Sequence, residues 1–166
     1  MLPFRMLTVC LLYCCIKAGV RASKQALFPA ASRAKRGAAT VENHTFHHSL
    51  DDVNLLYEIL LAVTHFEASG EFSVNDAELA SLRKTRNLKT ICEEIIPRNL
   101  TDVVTLISNL ESHPGDLHPD DFERTVLTLF FTAQQMVNSN KNEREMWAES
   151  FVSLYKAIKQ DLAGTK

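Results

Sequence analysis

The chain has 166 residues, of which 18 are basic, 20 acidic and six histidine, for a formal net charge of −2; 46% are hydrophobic. That is enough apolar material for one packed domain of ordinary size. Five glycines leave little for phosphate-cradling loops, and three of the four cysteines fall in the first 15 residues, which excludes a small scaffold stapled by disulfides.

Met1 to Arg5 is short and basic, Met6 to Ile16 reads MLTVCLLYCCI without a charge, and Lys17, Gly19 and Arg21 break the run before small residues. This is the three-part layout of a secretory signal peptide over residues 1–22, cut after Ala22, with a cut after Ala18 as the alternative. The uncharged run is too short to span a hydrocarbon core, which needs about 20 apolar residues. A secreted, extracellular chain without a membrane span is the expectation.

Residues 33–36 read RAKR. In a chain entering the secretory pathway, Arg33, Lys35 and Arg36 fit the pattern accepted by furin-like proprotein convertases, and the Ala/Ser-rich flanks can be drawn out as an extended strand. Residues 23–36 then form a propeptide; the other reading is a solvated basic loop that is never cut. Residues 1–36 hold seven basic residues and no acid, so the chain from Gly37 onward keeps 11 basic against 20 acidic residues, a net charge of −9. Such a surface repels phosphate, which argues against nucleic acid as a partner and leaves cationic protein patches open.

Residues 37–48 read as a flexible arm. It carries Asn43 in the acceptor sequon NHT, and the tract of His44, His47 and His48. The tract could offer imidazoles to zinc or copper, but it has no Cys or acid at ligand spacing, so an exposed polar arm without metal or cofactor is expected.

From residue 49 to 166 the pattern predicts an all-α bundle of five or six helices. Ser49 and Asp52 suit the start of a helix running from Leu50 to about Phe66, apolar almost all round and therefore expected at the middle of the bundle. Asn75 followed by Glu78 predicts the cap of a short helix. Leu88, Ile91, Cys92, Ile95 and Ile96 then share one apolar face that ends at Pro97, and Cys92, the single cysteine outside the leader, is expected there as a buried free thiol. Asn99 carries the second sequon, NLT, at an elbow; helix capping is the competing use of Asn99 and Thr101. A helix over about 102–111 places Val103, Leu106, Ile107 and Leu110 inward.

In the next helix, Pro119 to about Val137, Phe122, Val126, Leu129, Phe130, Ala133 and Val137 form the main apolar face. Leu127 and Phe131 form a second strip on the far side. Either a neighbouring helix covers that strip or it is exposed as the centre of a partner site. The last helix, from Asn142 with Glu145 in a capping box to about Leu162, points Trp147, Phe151, Leu154, Ile158 and Leu162 at the core.

The stretches LFPA (27–30), KR (35–36), LLYE (55–58), ELASLRK (78–84), IIP (95–97), SHPG (112–115), DFERTVLTL (121–129) and VSL (152–154) resemble the vertebrate secreted group known as family with sequence similarity one-eighty. The likeness spans nearly the whole chain. It implies secretion, puts this basic run where members carry theirs, and brings no catalytic or binding residues with it.

A nucleophile elbow, a phosphate loop and a zinc-protease helix are not found. The pairs Glu93-Glu94 and Asp120-Asp121 are neighbours in sequence, so on a helix they diverge by about 100°. The expectation is therefore no enzyme but a secreted helical protein that binds an extracellular or cell-surface protein as a processed ligand or regulator. The alternative is an extracellular carrier of an apolar small molecule.

Overall fold

The computed structural model describes residues 26–31, 46, 49–61, 64–67, 70–112 and 117–164. Ser49 opens helix α1 (Leu50–Leu61) by accepting the Asp52 backbone N–H on its hydroxyl at 3.2 Å. The helix does not continue to Phe66. Strands β1 (Thr64–Phe66) and β2 (Phe72–Val74) form a small antiparallel hairpin with Phe66 opposite Phe72. Gly70 sits in its turn at φ 82°, the left-handed region that favours glycine, and donates its N–H to the Glu67 carbonyl at 2.7 Å.

Two distant side chains hold the hairpin. The Gln134 amide accepts the Phe66 N–H and donates to the Thr64 carbonyl, both at 2.9 Å, completing the outer edge of β1. A Glu93 carboxylate oxygen accepts the Phe72 N–H at 2.9 Å. Lys89 links the same Glu93 to Glu71, and its hydrogen bond holds the Glu71 carboxyl below its ordinary pKa. Edge backbone groups that would otherwise lack partners are thus satisfied.

Helix α1 is peripheral, not central: Ile59 is its buried side chain, while Leu50 and Leu61 are largely exposed. An ion pair between Asp52 and Lys84 fixes it to the next helices, α2 (Ala77–Ser81) and α3 (Arg83–Thr90). The cap of α2 is Asp76, whose carboxylate accepts the Leu79 N–H at 2.9 Å, not the neighbouring Asn75.

Helix α3 runs into a single π-helical turn, Ile91–Ile95, closed by the Ile96 N–H on the Ile91 carbonyl at 3.0 Å. Pro97 follows and has no N–H to give to the Glu93 carbonyl. Arg98 supplies the missing donor, its Nη1 reaching that oxygen at 3.1 Å. The expected face is buried throughout: Leu88, Ile91, Cys92, Ile95 and Ile96 all lie in the core. Helix α4 (Leu100–Ser112) buries Val103, Leu106, Ile107 and Leu110, as its spacing predicts.

Helices α5 (Pro119–Asn138) and α6 (Lys141–Gly164) are joined by two residues, which folds α6 back along α5; α4 also packs on α6. Asn140 caps α6 by accepting the Glu143 N–H at 3.1 Å, two residues ahead of the expected cap. Trp147, Leu154 and Ile158 are buried and Phe151 is half-buried, but Leu162 is exposed.

The largest correction concerns α5, which packs with the opposite face from the one expected. Leu127 and Phe131 are 0% and 3% exposed, whereas Phe122, Val126 and Ala133 are only half-buried and Val137 is 70% exposed. Threonines explain the inversion. Thr125 and Thr128 donate their hydroxyls to the carbonyls four residues back, at 2.6 and 2.8 Å, and Thr132 bonds the Leu129 carbonyl at 2.8 Å. With the hydroxyl satisfied within the helix, each threonine behaves as an apolar residue and can be wholly buried.

Phe131 then becomes the hub of an aromatic chain. Its ring centroid lies 4.9 Å from that of Phe66 and 5.8 Å from that of Trp147, both edge to face, and Phe66 stands 5.4 Å from Phe72. This chain ties the hairpin, α5 and α6 into one core. The fold is all-α, with six α-helices and one two-stranded hairpin among the described residues. None of those helices is long and apolar enough to cross a membrane.

Candidate functional site

Residues 26–31 lie across the elbow that follows the π turn and along the first turns of α4. Together these walls form a groove of about 460 Å³, its rim carrying Arg98, Asn99 and Asp102 and its floor Ile96 and Leu106. From the strip, Phe28 turns inward and is 4% exposed, with Leu27 and Ala31 packed against the same core. The Ala31 N–H donates to the Phe28 carbonyl at 3.1 Å, closing a tight turn that aims the aromatic ring down.

Beneath that ring lies a charge. The Arg124 guanidinium is 5.8 Å from the Phe28 centroid, with its Nη1 bonded to Asp121 Oδ1 at 3.2 Å. Arg124 is buried, as are Asp120 and Glu123 in the same first turns of α5. A cation under an aromatic face and out of water is worth roughly 0.5–2 kcal/mol. Phe28 thus serves as the apolar lid of a buried polar cluster. Sequence reasoning missed this site; the signal was the Leu27-Phe28 pair, alone in an Ala- and Ser-rich stretch.

Several expected site residues, Ala22, Arg33, Lys35, Arg36, Asn43 and the histidines 44, 47 and 48, lie outside the described residues. In the arm assigned to residues 37–48, Phe46 is buried, with Lys84 Nζ 5.7 Å from its ring centroid, so the arm has at least one firm anchor. The strip of Leu127 and Phe131 is interior and offers no partner surface. Exposed apolar side chains stand elsewhere, on α1 (Leu50, Tyr57, Leu61) and on the outer side of α6 (Val152, Tyr155, Leu162) among other places.

Asn99 is exposed and caps α4: its Oδ1 accepts the Asp102 N–H at 2.9 Å while its Nδ2 donates to Asp102 Oδ2 at 2.6 Å. The two uses of the sequon separate under mutation. Thr101→Ala is expected to remove any glycan mass at Asn99 while leaving the melting temperature almost unchanged. Asn99→Ala should remove the glycan and cost about 1 kcal/mol through the lost cap. Mass spectrometry and thermal melts of the two variants check this.

Cys92 is wholly buried, and its pKa is pushed far up, first by burial and then by the nearby Glu93 and Glu123 carboxylates. Its thiolate is therefore not populated near neutral pH. The native protein should resist thiol reagents and yield one reactive thiol, for a chain without its leader, only after denaturation. A disulfide-linked dimer on a non-reducing gel would contradict this.

One set of residues has the composition of a hydrolytic triad. Ser73, His65 and Glu67 meet on the hairpin, but Glu67 Oε1 at 2.9 Å and Ser73 Oγ at 3.1 Å both address His65 Nε2, with Ser73 3.4 Å from Nδ1. A relay needs the acid on one ring nitrogen and the nucleophile on the other. This arrangement pins the two strands together. Among the described residues, no three His, Cys, Asp or Glu side chains are grouped to hold a metal ion.

No solved structure matches this chain. Residues 27–162, which begin at the docked strip and run to the last turn of α6, match the model of the FAM180 family, and the chain belongs to that family.

Proposed function

We propose that this is a secreted helical protein that works outside the cell by binding another protein, after a convertase cuts it behind Arg36. The observation that carries the reading is where the fold begins. The family match opens at Leu27 and Phe28 is already in the core, only a few residues after the stretch 1–22 that reads as a leader. Between that start and the bulk of the domain lies RAKR, in the small-residue context that proteases favour. The remaining 130 residues carry a net charge of −9, which suits a partner with a cationic surface. Exposed Val152 and Tyr155 on α6 give that partner apolar contacts to cover.

Labelled protein added to animal cells is expected to bind saturably. The double change Val152→Asp and Tyr155→Asp should weaken binding at least about tenfold, equivalent to 1.4 kcal/mol, without moving the melting temperature. Unsaturable binding, together with a stoichiometric co-purified lipid, would favour the carrier reading instead.

A further inference from the structure

Residues 26–31, inside the segment that reads as a propeptide, pack against the domain through Leu27, Phe28 and Ala31, and this changes what cutting behind Arg36 can do. We propose that a chain cut after Arg36 keeps residues 23–36 as a second, non-covalent piece, held beside α4 by Leu27 and Phe28, which form one wall of the groove. The idea rests on the processing step above. Hydrolysis of the Arg36–Gly37 amide by an external convertase consumes one water and leaves a carboxylate on Arg36 and an amine on Gly37. None of the contacts of Phe28 among the described residues is touched by it.

Three independent observations support retention. Phe28 is 4% exposed and lies over the Arg124 guanidinium, so its departure would put an aromatic ring and a buried cation into water together. The family match starts at Leu27, which makes the strip part of the unit shared by the family rather than a disposable leader. Charge adds a third argument: residues 23–36 hold Lys24, Arg33, Lys35 and Arg36 and no acid, against −9 on the rest of the chain. A cationic peptide beside an acidic domain is held by attraction of the whole field as well as by its anchor.

The cut therefore turns a tethered lid into an exchangeable one. Before it, the tether keeps the strip at an effective concentration in the millimolar range. Afterwards the strip stays by its own affinity, and any competitor with an aromatic anchor among cationic residues can replace it over Arg124. The acidic domain's cationic partner then has a defined seat, and the strip is its built-in competitor.

The test uses the secreted chain from Ser23, folded first and cut afterwards with purified convertase, then analysed by denaturing mass spectrometry and by size exclusion at about 1 μM. The denaturing mass should show two pieces, and the native peak should hold both. Phe28→Ala, cut in the same way, should release the strip, with retention weaker by on the order of 100-fold. If that variant does not fold, the wild-type result decides alone. Separation of the wild-type strip from the domain at this concentration overturns the proposal, whether or not the domain stays folded. If convertase leaves the chain intact, processing is wrong as stated, and a foreign protease site placed after Arg36 still tests retention.

Discussion

Replacing Leu127 and Phe131 together by alanine is expected to abolish cooperative folding at 37 °C. Leu127 is wholly buried and Phe131 joins the hairpin to α6 through edge-to-face contacts with Phe66 and Trp147. Single truncations of this kind cost about 2–5 kcal/mol for leucine and 3–5 kcal/mol for phenylalanine. Their sum, even allowing for coupling between neighbours, approaches the whole stability of a domain, about 5–15 kcal/mol. Val126→Ala on the half-buried outer side of the same helix should cost clearly less. Thermal melts followed by circular dichroism decide the matter: a double variant melting within about 3 °C of wild type would mean that α5 packs with its other face, since 1 kcal/mol shifts a domain of this size by several degrees.

Phe28→Ala in the uncut chain should lower stability by about 3–5 kcal/mol and the melting temperature by about 10 °C or more. The effect has two sources: a cavity where the ring was, and an Arg124 guanidinium that loses its aromatic cover. A leader without structural role would show no such cost. Denaturant titration gives the number directly, and a change below about 0.5 kcal/mol would place the strip on the surface.

Both effects turn on residues that the sequence read poorly, and the reason is physical. Where a helix buries only aliphatic side chains at three- and four-residue spacing, as α4 does with Val103, Leu106, Ile107 and Leu110, the core face is plain in the letters. The Leu88 to Ile96 face was legible for the same reason, although nothing local signals the π turn that accommodates Pro97. Helix α5 hides its core face behind Thr125, Thr128 and Thr132, which count as polar until their hydroxyls are seen bonded within the helix. The hairpin was illegible because its edge is completed by Gln134 and its other strand by Glu93, partners that no local window contains. Read locally, residues 64–66 simply continue the helical pattern of α1. The groove was missed because the basic run drew residues 23–36 into a processing segment, and a segment can be both cleaved and folded.

Secretion and processing are tested together by the intact mass of the protein collected from the medium of animal cells expressing the full chain. The protein is expected to reach the medium, its main denatured form to begin at Gly37, and its glycan mass to be lost with Thr101→Ala. Protein that stays inside the cell with Met1 to Ala22 still attached would contradict this expectation.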